Sequence, residues 1–339
     1  MLQTALVGYG PAGAGLHAPL IARTEGLEVA AVVTSDTGRR EAVGRDHPGA
    51  AVLDGADAIW QEPGRFDLVV VAAPNRAHAE LAERALRAGL PVVVDKPLAV
   101  STADADRLVA AAAETGVPLA VFHNRRWDGD FLAVRDLVHR IGPVVRLEAR
   151  WERWRPRVDG DRWRESDDHA DGGGLLWDLG SHLIDQALVL FGSPESVIAR
   201  AETRRPGARV DDDTFVELRF PGGPAVQMWM SLVAVEPGPR FRVTGLGGLV
   251  ESRGLDPQEL RLRGDQAPEV EVRLVTEQDG AQIVEAPEGD YGHFYAGVRE
   301  ALRGGRPMPV TAEQGAEVVA VIEAARRSAT TGQVVALSG

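Results

Sequence analysis

Apolar residues fall along the chain in two rhythms. Up to about residue 122, short apolar runs alternate with helical patterns. Leu2–Val7 reads as a strand that opens onto a glycine-rich turn and a helix, which Pro19 is expected to kink or break. A second strand is predicted at 29–33, then a helical stretch after Thr37 with Asp36 as its N-cap. The run LVVVA at 68–72 is β-branched and continuous, the pattern of a strand buried on both faces. A helix at 77–88 stops at Gly89, and a strand at 92–94, an alanine-rich helix at 104–114 and a strand at Leu119–Phe122 follow. Strands separated by helices of about 10–15 residues imply parallel pairing through right-handed crossovers, hence a doubly wound sheet.

Beyond about residue 123 the rhythm changes. A helix over roughly 129–140 leads into a long alternating strand at 144–154, a charged irregular segment at 155–172 and a helix at 174–190. Longer strands are predicted at 196–202, 213–220, 225–233 and 240–251, broken by Pro-Gly turns at 221–224 and 237–239, which suits an antiparallel or mixed sheet. Helices at 291–303 and 312–328 close the chain. The expected organisation is an α/β protein of two domains: a doubly wound, Rossmann-type dinucleotide-binding domain over 1–122, and a second α/β domain over 123–339.

Composition narrows the function classes. The net charge of −13 works against nucleic acid and anionic membrane as general partners. The absence of cysteine excludes disulfides, thiolate catalysis and Cys-ligated zinc. No apolar run approaches the roughly 18 residues of a membrane span, and no secretory signal is evident, so a cytoplasmic protein is expected. Lysine occurs once, at Lys96, and asparagine twice, at Asn75 and Asn124. A coding bias sets that background, yet a buried lysine can shift its pKa where arginine cannot lose its proton.

Three features carry chemistry. Gly8, Gly10 and Gly13, with Pro11 and Ala12 between them, form G-x-G-x-x-G directly after a strand. There the first glycine makes the turn, the second lets backbone approach a pyrophosphate, and the third permits close helix–strand packing. Free N–H groups at the helix start would receive the phosphates. At the end of the second strand Thr34 and Ser35 stand where NAD enzymes place an acid, with Arg39 and Arg40 one turn on. That favours NADP over NAD, the rival reading being that both arginines are a solvated helix face.

Lys96 follows a buried strand in Asp95-Lys96-Pro97, at the carboxyl end that faces the ligand crevice of such sheets. An ammonium there would stabilise an alkoxide. Asp178, His182 and Asp185 are spaced i, i+4 and i+7, so a regular helix would put them on one face, behind a Gly172-Gly173-Gly174 run. Histidine with a carboxylate beside it suits proton transfer, whereas a helix-stabilising contact is the bland alternative; no ligand set for a metal is evident.

These motifs together resemble the Gfo/Idh/MocA oxidoreductase family over nearly the whole chain. Further stretches, His123-Asn124-Arg125-Arg126-Trp127-Asp128, Glu236-Pro237-Gly238-Pro239-Arg240 and Gly254-Leu255-Asp256-Pro257-Gln258, are similar to its branch of NADP-dependent scyllo-inositol dehydrogenases. The resemblance implies a second domain built on a large open, mostly antiparallel sheet, and a homodimer or homotetramer formed through it. It implies a polyol or sugar substrate and a catalytic set of Lys96, Asp178 and His182, with His182 taking the hydroxyl proton and Asp178 positioning substrate and imidazole. Pro74, Asn75 and His78 resemble the segment passing the nicotinamide ribose, and Asp95 replaces the usual glutamate. Arg126, Asp128, Glu152, Trp163 and Tyr291 are candidate substrate contacts, with the tryptophans between 127 and 177 as possible walls for a sugar ring or ordinary core packing. Two other activities fit the resemblance: a glycosidase using bound NAD transiently, and a non-catalytic dinucleotide or sugar sensor.

Overall fold

The buried runs of the first third become β1 (Leu2–Val7), β2 (Leu27–Val33), β3 (Ala51–Leu53), β4 (Leu68–Val71), β5 (Val92–Asp95) and β6 (Leu119–Phe122). The structure is a computed structural model that describes residues 1–158, 171–256, 258–265, 269–304 and 306–337. Trp163 and Pro257, singled out above, lie outside the described residues. These strands pair in parallel in the order β3-β2-β1-β4-β5-β6, the doubly wound order whose direction of progression reverses between β1 and β4. The side chains of β4 and β6 are buried throughout, because helices cover both faces of such a sheet.

The crossover helices are α1 (Ala18–Arg23), α2 (Thr37–Asp46), α3 (Asp57–Gln61), α4 (His78–Arg87) and α5 (Thr102–Thr115). Asp36 caps α2 as expected, its carboxylate accepting the Arg39 N–H at 2.8 Å. Ser101 caps α5 by accepting the Asp104 N–H at 3.1 Å, and Gly116 ends it at φ +67°. The expected kink at Pro19 is corrected. Pro19 sits in the first turn of α1, where its missing N–H costs nothing, and the irregularity precedes it as a π turn, Gly13–His17. β3 and α3 were not predicted; at three and five residues they are too short to show a period.

The remaining elements are α6 (Gly129–Leu137), β7 (Val144–Glu152), α7 (Ser181–Phe191), β8 (Ser196–Glu202), β9 (Asp213–Arg219), β10 (Ala225–Ser231), β11 (Phe241–Gly245), β12 (Gly248–Arg253), α8 (Gln258–Arg263), β13 (Glu271–Thr276), β14 (Gly280–Glu285), α9 (Gly292–Arg303), α10 (Ala312–Thr331) and β15 (Val335–Ala336). Nine strands form one sheet in the order β14-β13-β12-β11-β7-β10-β9-β8-β15, antiparallel except for the β7–β10 pair. The single strand expected at 240–251 is instead a hairpin, β11 and β12, turning at Leu246-Gly247. Gly245 and Gly248 flank that turn because a Cβ on either would run into a backbone carbonyl, of Ile141 or Val275. Along β9 and β10 alternate residues are buried, Val216 and Leu218 facing the same side as Val226 and Met228, so one face of the sheet is core. No helix among the described residues is long and apolar enough to cross a membrane.

The chain divides into two compact units. The first is Met1–Asn124 with Glu259–Gln266 and Tyr291–Val319; the second is Arg125–Gln258 with Ala267–Asp290 and Ala320–Gly339. Within the second, Asp128, Asp130 and Asp256 are buried close together around the start of α6. Asp256 accepts the Gly129 N–H at 2.6 Å, Arg125 pairs with Asp128 at 3.1 Å, and Gln258 donates to the Trp127 carbonyl at 2.8 Å. Burial pushes the Asp130 carboxyl up to about 7; neighbouring Asp128 and Asp256 act in the same direction, and Arg240 at 3.5 Å opposes them. A carboxyl whose folded pKa is raised stabilises the fold fully below its unfolded pKa, and that contribution is lost as pH climbs through about 7. In Asp130→Asn, unfolding free energies from urea melts between pH 4 and 8 should therefore fall less steeply with pH than in the wild type, by up to about 1.4 kcal/mol per pH unit.

Candidate active site

The carboxyl edge of the parallel sheet is shaped first by the glycine turn after β1. Gly8 sits at φ +102°, and a Cβ there would collide with the Ala72 carbonyl at the end of β4. A Cβ on Gly13 would collide with the Gly8 carbonyl, so these two glycines are required by the protein itself. Gly10 differs: nothing lies within 4 Å of the position its Cβ would take. That open flank fits the approach of a pyrophosphate to the backbone, so the turn suits a dinucleotide.

At the end of β2, Thr34 is buried while Ser35 and Arg39 are exposed. Arg40 folds back over the strand end, donating to the Thr34 carbonyl at 3.3 Å and to Asp54 at 2.5 Å. A guanidinium is thus held next to the place where the ribose hydroxyl or phosphate of a dinucleotide lies in such folds.

Asp95 ends β5, and its Oδ1 accepts the Lys96 N–H at 2.8 Å; the Lys96–Pro97 bond is cis. Burial raises the Asp95 carboxyl, but His17, His78 and Lys96 outweigh it and hold the group below the ordinary carboxylate range. His78 opens α4 with both ring nitrogens against backbone carbonyls, of Pro97 at 2.8 Å and Ala73 at 2.9 Å. Its ring therefore stands between the turn after β4 and the turn after β5, and the neutral imidazole donates to one of the two carbonyls. Burial pushes its pKa down, with Asp95 opposing. Pro74 is exposed and Asn75 buried in the same β4 turn.

In the second unit the glycine run leads into a π turn, Leu176–Gly180, and then α7. The expected regular i, i+4, i+7 face is corrected: Asp178 lies in the π turn, and α-helical spacing begins only with His182 and Asp185. Gly174, at φ +90°, lies so close to the Asp211 carboxylate that a Cβ would overlap it. Asp211 accepts the Leu176 N–H at 2.8 Å and so caps the helix start, a role no local sequence signal announced. Burial raises the Asp211 carboxyl.

His182 is 7% exposed, and its ring packs against Trp151 of β7 at 5.6 Å between centroids, tilted by 32°. The guanidinium carbons of Arg125 and Arg240 lie 4.4 and 4.8 Å from that indole. Arg126 grips Asp185 with two nitrogens, at 2.6 and 2.9 Å, which fixes the acid one turn beyond His182. Of the other candidate contacts, Asp128 is enclosed in its Arg125 pair, Glu152 accepts the Gly238 N–H at 2.9 Å, and Tyr291 is buried ahead of α9. Among the described residues no group of three His, Asp or Glu side chains is placed to hold a metal ion.

Comparison with known proteins gives a consistent assignment. Residues 2–123 match the model of an NAD-binding Rossmann fold in the GFO_IDH_MocA oxidoreductase family, and residues 135–337 match that family's C-terminal alpha/beta domain. The chain is 38% identical to an uncharacterized oxidoreductase, YdgJ, of Escherichia coli (strain K12), covering 97% of this chain and 96% of that one. It is 33% identical to IolW of Bacillus subtilis (strain 168), a scyllo-inositol 2-dehydrogenase (NADP(+)), covering 99% and 96%. A protein of known crystal structure from Klebsiella pneumoniae, described as a putative oxidoreductase, shares the fold with a TM-score of 0.89 at 39% identity, covering 99% and 95%.

The glycine geometry separates a folding role from a binding role. Gly8→Ala should lower stability by about 1–3 kcal/mol or more, through strain and the Ala72 clash. Gly10→Ala should melt within a degree or two of wild type yet bind dinucleotide at least about tenfold more weakly. Thermal melts and fluorescence titration with NADPH check both; equal loss of stability in the two variants contradicts the assignment.

Proposed function

The chain belongs to the Gfo/Idh/MocA family of NAD(P)-dependent oxidoreductases, and within it we propose an NADP-preferring dehydrogenase that oxidises a secondary hydroxyl of a cyclitol or sugar, or reduces the corresponding ketone. The observation that carries this reading is the position of the one lysine in the chain. Lys96 follows β5 at the carboxyl edge of the parallel sheet, next to a carboxylate held ionised. A charged ammonium there lowers the pKa of a substrate hydroxyl and stabilises the oxygen as negative charge develops on it.

His182 is the general base of this reading. Its Nδ1 is enclosed by protein, and the hydroxyl proton is assigned to Nε2. Asp178, half-buried in the π turn, positions substrate and imidazole. The glycine turn, Thr34, Ser35 and Arg40 hold the dinucleotide, which supplies the hydride acceptor when bound. Arg40 supports the NADP preference, since a guanidinium over the end of β2 complements a 2′-phosphate better than a bare ribose. The polyol class follows the name borne by IolW, aligned over 99% of this chain.

Turnover followed at the nicotinamide absorbance band, with a panel of inositols and aldoses and with NADP and NAD separately, tests the reading. Lys96→Ala and His182→Ala should each lose roughly 10²–10⁴-fold in kcat while binding dinucleotide within about twofold of wild type. Wild-type turnover in either variant removes that residue from the chemistry. Arg40→Ala should weaken NADP at least about tenfold more than NAD; equal effects reject the 2′-phosphate role.

A further inference from the structure

A line of buried polar groups runs behind Lys96 that the reaction proposed above does not use. His17 leaves the π turn after β1 completely buried, and so is Tyr295 in α9. The His17 Nδ1 lies 2.5 Å from the Tyr295 hydroxyl, and its Nε2 lies 3.7 Å from Asp95 Oδ1. That same Oδ1 accepts the Lys96 N–H. The ring is clamped from the side by Phe122 of β6 at 4.4 Å, and Phe294 packs on Phe122 in turn at 4.9 Å. The titratable groups facing His17 are Tyr295 from α9, Asp95 from β5 and, further off, His78 from α4; β6 offers only the Phe122 ring.

From this geometry we infer that Tyr295 and His17 form a positioning relay that selects one imidazole tautomer, aims Nε2–H at Asp95, and so keeps a carboxylate ionised beside Lys96. The tautomer follows from hydrogen-bond bookkeeping. Tyr295 has one hydroxyl proton, and burial, with Asp95 adding, pushes its pKa well above the ordinary value, so the hydroxyl stays a donor. Its donation to Nδ1 leaves the ring proton on Nε2, the atom that faces Asp95. A half-buried carboxylate without that N–H turned toward it would take up a proton more readily as pH falls and would then no longer set a negative charge beside Lys96. Asp95, one methylene shorter than the glutamate of the family motif, has its charge fixed by groups from β1's turn and from α9. His17 and Tyr295 touch neither substrate nor dinucleotide in this scheme; they act through Asp95 on the lysine.

The inference rests on the assignment of Lys96 to the reaction, but the chain's single lysine gives a readout that needs no turnover. With [ε-13C]lysine incorporated, the dinucleotide-free protein yields one Cε resonance, which reports Lys96 directly and senses the titration of Asp95 as a smaller step at acid pH. In wild type that step should lie below the ordinary carboxylate range. In His17→Leu it should move up by half a pH unit or more, a threefold or greater change in the acid constant, with a shift in the same direction in Tyr295→Phe. His17→Gln should restore most of the shift, because its amide can accept from Tyr295 and donate toward Asp95 as the imidazole does. An acid step that stays at the wild-type pH in folded Tyr295→Phe and His17→Leu overturns the relay. Should His17→Leu not fold, Tyr295→Phe, which removes a single atom, decides alone. Loss of the relay leaves the turnover result for Lys96→Ala untouched, and a normal rate in Lys96→Ala leaves the titration result untouched, so the two proposals fail separately.

Discussion

An ionised carboxylate that loses most of its water is costly unless cations and N–H groups approach it, and the carboxyl edge of the first unit is arranged around the half-buried Asp95. The Lys96 backbone donates to it, His17 and His78 approach it, and Lys96 adds a positive charge. These groups come from three different connections: the turn after β1, the start of α4 and the turn after β5. His78 sits between the Ala73 and Pro97 carbonyls and donates to one of them, its ring packed between the two turns. The carboxyl edge of the sheet is therefore held by polar contacts, while its strands are held by apolar burial.

The glycines at that edge are not equivalent. Gly8 and Gly13 exist because backbone passes where a Cβ would be, and their replacement damages the fold. Gly10 faces open space, and its smallness serves whatever approaches from outside. A motif of three glycines thus contains two positions under packing constraint and one under binding constraint, a division visible only once the neighbouring atoms are located.

In the second unit the helix carrying His182 begins irregularly. Asp211 caps its start, Gly174 lets that cap come close, and a π turn holds Asp178 before the regular helix. Behind the imidazole stands Trp151, itself approached by the guanidinium groups of Arg125 and Arg240, and Arg126 locks Asp185 one turn on. An imidazole packed on an aromatic ring with a fixed acid nearby has little rotational freedom, which is what proton transfer at a defined atom requires.

Local pattern alone determined the parallel sheet, its glycine turn, the cap of α2, and the change to longer strands suited to an antiparallel or mixed sheet, because these depend on periodicity and on residues a few positions apart. The same local logic singled out Lys96 and His182, since scarcity and strand ends are properties of sequence. It failed where the deciding contact is distant. The glycines of the β11–β12 turn are demanded by the Ile141 and Val275 carbonyls, and the cap of the π turn ahead of α7 comes from Asp211, thirty-five positions beyond Leu176. Arg126 and Asp128 were legible as polar residues of interest, but only the folded chain shows that each is already committed to a carboxylate or guanidinium partner. His17 and Tyr295 stand 278 positions apart, and no spacing rule could join them; their contact exists because α9 packs with the strands of the first unit. Periodicity reports which face of an element is buried, whereas the identity of what it is buried against is a property of the tertiary structure alone.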